Sequence, residues 1–246
     1  MTKSKSKSKS KTKTKTPTRP VLRAGLVLLL AASLSACGGS DGETPAFMQV
    51  DANGVSTMQP AALGTTLAAY PLETISAAEA QSLAFMREEE QLAHDVYASN
   101  AIRWPVLPIF GNIATSEATH SAAIKTLLDR YQLPDPLAGL PNGSFSSATF
   151  QALYAALVAA SDPSLVDALK VGVQIEELDI RDLEAQKAGI DNADILLVYD
   201  NLLRGSRNHL RSYMQTLLQQ GGSYMPQYIS QATFDAIVNT PIETGR

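Results

Sequence analysis

The chain has 246 residues, 20 Lys and Arg against 24 Asp and Glu, a formal net charge of −4, and a single cysteine, Cys37. One cysteine excludes an intrachain disulfide. Nine of the basic residues (the alternating lysines from Lys3 to Lys15, then Arg19 and Arg23) precede the first acid. The rest of the chain therefore holds 20 − 9 = 11 basic against 24 acidic residues, a charge of −13. That balance disfavours nucleic acid and electrostatic adhesion to anionic lipid, because both need a basic face.

The first 36 residues read as an export signal: a basic start, the apolar run "AGLVLLLAASLSA", and small residues at its end. The run is too short to span a membrane comfortably. Leu34, Ser35 and Ala36 before Cys37 resemble a bacterial lipobox, which implies lipidation of Cys37 and a membrane-anchored mature protein. Gly38 rather than Asp after the cysteine points to the outer membrane, facing the periplasm, in a host with two membranes.

Residues 37–73 are rich in Gly, Ser, Asp, Pro and Thr and read as a flexible tether. The expected folded domain spans 74–240. "SAAE" at Ser76–Glu79 is a capping box opening a first helix that continues to about Ile102 and stops at Trp104-Pro105. A second helix is expected from about Phe110 to Gln132, ended by "LPDP". A connection of about 30 residues then carries a short helix, "SATFQALYAALVAA". Asp162-Pro163 predicts the start of a third long helix, ending near Lys187. Asp191 or Asn192 caps a fourth, running to about Gln220, and a short amphipathic piece at 230–238 follows. No segment reads as a strand. The fold class is all-α. Connections that run short, long, short are the order of a ferritin-like four-helix bundle with one long crossover.

Each long helix carries a metal-competent residue in its apolar stripe. Ile113, Glu117, His120, Ile124, Leu127 and Tyr131 step by four and three, so Glu117 and His120 lie on the buried face. Phe85, Glu89, Leu92 and Val96 place Glu89 inward, with Glu88 and Glu90 flanking it. The third helix places Glu176 between Val173 and Ile180, and the fourth places His209 between Leu202 and Tyr213. A lone buried carboxylate costs several kcal/mol or takes up a proton. Several carboxylates and two imidazoles in one core are accounted for together by a metal centre, and their mixed oxygen and nitrogen donors suit one or two ions of iron or manganese.

The chain also resembles itself: "REEEQLAHDVY" at 87–97 aligns with "QIEELDIRDLE" at 174–184, matching Glu89 with Glu176, and His120 matches His209. The pattern E…E-x-x-H…E…H looks like that of the ferritin-like superfamily, rubrerythrin and its relatives. More closely, "LAFMREEEQLAHDVY", "NIATSEATHSAAIKTLLDRY", "VGVQIEELDIRDL", "VYDNLLRGSRNHLRSY" and "YMPQYIS" resemble the family called domain of unknown function 2202. The resemblance implies a ferritin-like bundle and no particular reaction.

One position departs from a rubrerythrin-type site. The residue three before His209 is Ser206, not a carboxylate; Asp179, one turn past Glu176, is a candidate replacement. The alternatives are a single ion, or no metal and neutralisation of the acids by Arg204 and Arg207 from "RGSRNHLR". Tyr97 and Tyr213 are candidate hydroxyl donors behind the ligands, and His94 is expected off the core face. The expected function is an exported, lipid-anchored, metal-binding ferritin-like protein, with oxidoreductase chemistry of the di-iron kind if it turns over. The alternative is a non-catalytic lipoprotein with a structural or protein-binding bundle. The expected partner is the membrane through Cys37, not nucleic acid, and a homodimer is compatible with either reading.

Overall fold

A computed structural model of the chain describes residues 46–244; the leader and Cys37 lie outside the described residues. Among the described residues the chain is mostly helical. Two short strands, β1 (Met48–Val50) and β2 (Ser56–Met58), precede α1 (Pro60–Ala68), α2 (Ala77–Arg103), α3 (Ile109–Arg130), α4 (Ala148–Ser161), α5 (Leu165–Lys187), α6 (Ala193–Gln219) and α7 (Gln231–Val238).

The four long helices fall where apolar periodicity places them. The Ser76 capping box forms, with Glu79 N–H donating to Ser76 Oγ at 3.2 Å and Ser76 N–H to Glu79 Oε2 at 2.8 Å. The other oxygen of Glu79 accepts from the backbone N–H groups of Asp191 and Asn192, so this one side chain ties the start of α2 to the start of α6. The start of α5 differs from expectation. Its cap is Ser164, whose hydroxyl accepts from Asp167 N–H, while Asp162 ends α4.

Pairs of contacts fix the helix directions. Arg87 meets Ser121 and His94 meets Ala114, so α2 and α3 are antiparallel. Tyr97 bonds to Gly172 and Glu89 lies against Asp182, so α2 and α5 are antiparallel as well. Contacts of Glu117 with His209 and of Arg130 with Asp194 set α3 against α6 in the same way. It follows that α3 and α5 run in the same direction. Residues 131–164 must therefore return along the helices before α5 begins, and α4 lies within that return, packed on α2 and α5.

Residues 48–68 differ most from the sequence expectation of a tether without strands. β1 and β2 form an antiparallel hairpin in which Met48 pairs with Met58 and Val50 with Ser56. The turn is built by Asp51, whose carboxylate accepts from Asn53 N–H and Val55 N–H, and by Gly54 at φ +81°. Met48, Met58, Leu63 and Leu67 are buried, and Met58 N–H donates to Thr119 Oγ1 on α3 at 2.9 Å. Strands of three residues are too short for alternation to stand out among Gly, Asp and Thr.

Candidate metal centre

Helix α3 brings Ser116, Glu117 and His120 to the interior, and α6 brings His209 to the same place. All four are at most 1% exposed. The Glu117 carboxylate spans the two histidines: its Oε2 is 2.9 Å from His120 Nδ1 and its Oε1 is 2.6 Å from His209 Nδ1. The second pair is close but not aligned as a hydrogen bond. Donor atoms of Glu117, His120 and His209 lie within 4.8 Å of one another, a spacing that fits a single ion.

Two further acids flank this group in a symmetric way. Glu90 Oε2 is 3.5 Å from His120 Nδ1, and Glu176 Oε2 is 3.5 Å from His209 Nδ1. Tyr97 donates its hydroxyl proton to the other oxygen of Glu176 at 2.7 Å. Glu90, not Glu89, is thus the α2 carboxylate against a histidine; in space Glu90 is the counterpart of Glu176, one residue away from the match that the internal repeat makes with Glu89. Glu89 is also buried, but it lies against Asp182. Asp179 is buried, and burial together with the charges of Glu89, Glu90, Glu176 and Glu117 raises its carboxyl. The Ser206 hydroxyl donates to Leu202 O within its own helix.

The far edges of both imidazoles are also held. Ser56 Oγ lies 2.9 Å from His209 Nε2 and 3.3 Å from His120 Nε2, and Ser116 Oγ lies 2.9 Å from His209 Nε2. The Ser116 hydroxyl donates to the backbone carbonyl of Ser56. Its oxygen is then left to accept, so His209 Nε2 carries a proton. In the neutral ring Nδ1 is consequently a lone pair beside a carboxylate oxygen, an arrangement that needs a cation: a proton or a metal ion. Gly205 makes the approach of α6 possible, since a Cβ there would stand 2.7 Å from His120 Cε1 and 2.8 Å from Ser56 Oγ.

The buried acids divide into two kinds. Glu79, Glu88 and Glu177 are bonded to loops: Glu88 accepts from Ser146 and Ser147, and Glu177 from Tyr224 and the N–H groups of Gln227, Tyr228 and Ile229. By contrast, Glu89 Oε2, both oxygens of Glu90, Glu117 Oε1, Glu176 Oε2 and both oxygens of Asp179 are buried without a hydrogen bond. Unbonded buried carboxylate oxygens are costly, and those of Glu90, Glu117 and Glu176 lie against the two histidines. That is the chemistry of a cation site, and the donor set fits a transition ion of mixed oxygen and nitrogen preference.

Electrostatics describe the same cluster with protons in place of a metal. Burial alone would lower both imidazoles. Glu117 with Glu90 outweighs it at His120, raising it to about 10, and Glu117 with Glu176 raises His209 to about 9. Burial would raise Glu117, but the two imidazoles hold it well below the usual carboxylate range. Burial pushes Glu90 up to about 8 and Glu176 to about 7, in both cases against the pull of a histidine, and it raises Glu89 and Asp179.

The remaining sequence candidates fall around this centre. Tyr213 is buried with its ring 5.0 Å from that of Tyr97 and its hydroxyl without a hydrogen bond. Arg204 Nη2 donates to Asn201 Oδ1 and Met48 Sδ. Arg207 and Arg211 both end on Glu243. His94 bonds to the Ala114 carbonyl, off the centre as expected. Sequence reasoning missed Glu90 as a facing acid, and it missed Ser56, Ser116 and Gly205. The E-E-E run at 88–90 held the signal for the first; no local signal marks Ser56.

The match to known proteins covers this same region. Residues 79–241 match the family described as an uncharacterized protein domain, DUF2202, and the chain belongs to that family. It is 47% identical to the uncharacterized protein MJ0754 of Methanocaldococcus jannaschii over 179 residues, 73% of this chain and 96% of the relative. The crystal structure of the hypothetical protein MJ0754 from Methanococcus jannaschii superposes with a TM-score of 0.69 at 48% identity, covering 70% of this chain and 98% of that one.

Proposed function

We propose that the protein is an exported, lipid-anchored member of the ferritin-like superfamily that holds one or two iron or manganese ions in the core of a four-helix bundle. The helix directions and the long return between α3 and α5 support the bundle reading. The observation that carries the metal reading is the Glu117 carboxylate between two histidine Nδ1 atoms, at 2.9 and 2.6 Å, in an interior where neighbouring carboxylate oxygens have no hydrogen bond. Glu117, His120 and His209 are the first ligands in this reading, with Glu90 and Glu176 beside them and Asp179 and Glu89 further along the acid cluster. An iron or manganese ion would supply one-electron chemistry toward oxygen or peroxide. The chain's own part is to hold the donors. Tyr97 fixes Glu176, the serine hydroxyls fix the imidazole edges, and complete burial excludes bulk water.

The competing reading, a non-catalytic lipoprotein whose core is neutralised by Arg204 and Arg207, is weakened because Arg207 pairs with Glu243 and Arg204 donates to Asn201 Oδ1 and Met48 Sδ. Elemental analysis of the purified protein tests the choice. Wild type should retain iron or manganese, and Glu117→Gln should lose it. A wild-type protein that neither retains nor takes up a transition ion would reject the metal reading. The anchor rests on the "LSAC" motif. Cys37→Ala should leave a precursor that no longer partitions with membranes; unchanged partition would reject the anchor.

A further inference from the structure

The metal centre described above has a contributor from outside the long helices. Ser56 is fully buried, and its hydroxyl is within 3.3 Å of both imidazole Nε2 atoms. It reaches them because β2 alternates: Ser56 and Met58 are buried, while Thr57 between them is only half-buried. Gly205 leaves the space in which the hydroxyl meets His120, as its missing Cβ would stand 2.8 Å from Ser56 Oγ. An alanine at 56 would bury as well as serine does, so packing alone does not call for a hydroxyl between two imidazoles.

The hairpin is also a wall. Val55 lines a cleft of about 460 Å³ together with Asn53, Asn112, Ile113 and Ser212. Ile113 lies one turn before Glu117 on α3, and Ser212 lies one turn after His209 on α6. The cleft thus lies beside the hairpin turn, one helical turn along α3 and α6 from the histidine site.

We propose that Ser56 is a positioning residue for the metal centre, so that docking of the β1–β2 hairpin and metal binding are thermodynamically linked. The proposal rests on the metal reading of Glu117, His120 and His209. With the hairpin docked, Ser56 holds the Nε2 edges and both Nδ1 atoms are kept on Glu117. With the hairpin lifted, the imidazoles lose that support and the centre opens toward the cleft. By reciprocity, an ion that binds better to the docked state must also hold the hairpin down. The two histidines are not equally dependent. His209 keeps Ser116 when Ser56 is removed, whereas Ser56 is the Nε2 partner that the structure gives His120.

The experiment uses the full purified chain and ferrous iron under anaerobic conditions. Hydrogen exchange across residues 46–58 of the wild type should slow when iron is added. Ser56→Ala should weaken iron binding by about tenfold or more, the usual effect of removing the group that orients a ligating histidine, and should abolish the iron-dependent protection of the hairpin. Gln49→Ala, an exposed change in the same hairpin, should leave iron binding unaltered. Iron binding to Ser56→Ala as tight as to wild type, or hairpin exchange indifferent to iron, overturns the proposal while leaving the metal reading intact. A wild type that binds no iron overturns both. If Ser56→Ala does not fold, the exchange measurement on the wild type decides alone.

Discussion

The imidazoles of His120 and His209 stack with their centroids 5.4 Å apart and their planes 17° apart. In the metal-free protein both are raised above ordinary histidine values, to about 10 and about 9, so at neutral pH two like charges face each other. Glu117 between them holds the arrangement together. The serine and glutamate contacts around the rings then set where each nitrogen points, so that both Nδ1 atoms face the acids.

This predicts how metal and pH interact. His120 and His209 have ordinary values of 6.5, and Glu90 and Glu176 of 4.5; all four are raised in the folded protein. Their contribution to stability is fully present below the unfolded values and is lost as pH rises through the folded ones, over roughly pH 5 to 10. Glu117 is depressed, so its contribution has the opposite sign: present above 4.5 and lost in acid. An ion at the histidines must displace their protons, and its apparent affinity should rise with pH over the same window. The melting temperature with and without manganese(II) checks this. The gap should be wider at about pH 9 than at about pH 6. A gap that does not change with pH would show that the histidines are not the ligands.

Gly205 gives a prediction whose sign is decisive. In a helix interior, glycine to alanine is ordinarily favourable by about 0.5–1 kcal/mol. Here the added Cβ would stand 2.7 Å from His120 Cε1. Gly205→Ala should therefore destabilise, by about 1–3 kcal/mol, and weaken metal binding together with stability. Urea unfolding and an iron titration measure the two effects. A stabilised variant would mean that α6 does not approach His120 this closely.

Much of the centre was legible in the sequence, for a physical reason. Glu117 and His120 are three apart on a helix whose apolar stripe is clear, and His209 and Glu176 sit in comparable stripes, so periodicity alone turned them inward. Ser56 was illegible because its position depends on a hairpin of two three-residue strands docking across α3 and α6. Asp179 was legible as a buried acid because it falls one turn past Glu176 on the same helix. The cap of α5 at Ser164 lies where two signals compete, Asp162-Pro163 and Ser164 itself, and the extended backbone of Ser164 decides it.

Glu177 separates stability from metal binding. It adjoins Glu176 on α5 and is as deeply buried, but it turns away to accept from Tyr224 and the N–H groups of Gln227, Tyr228 and Ile229. Glu177→Gln should cost about 1.5–3 kcal/mol, the range for hydrogen bonds to a charged group, and leave metal content unchanged. Parallel urea unfolding and elemental analysis test it. Loss of metal from this variant without loss of stability would place Glu177 in the centre after all.

The last prediction concerns Glu88, Glu89 and Glu90, three consecutive acids that are all buried. Successive residues on a helix point about 100° apart, so three in a row cannot share one face. All are inside because α2 is enclosed by α3, α4 and α5. A single apolar stripe is a poor guide on such a helix, which is why Phe85, Leu92 and Val96 selected Glu89. In the folded chain the three have three tasks. Glu88 accepts from Ser146 Oγ and Ser147 N–H at the start of α4. Glu89 lies against Asp182. Glu90 lies 3.5 Å from His120 Nδ1 with both oxygens free of hydrogen bonds. Glu90→Gln should therefore weaken metal binding most, by more than about tenfold, Glu89→Gln less, and Glu88→Gln not at all, although Glu88→Gln should loosen α4. Titrating the three variants with ferrous iron gives the order directly. If Glu89→Gln proves the most damaging, the α2 ligand is the one the apolar stripe selects, and Glu90 is only a neighbour of His120.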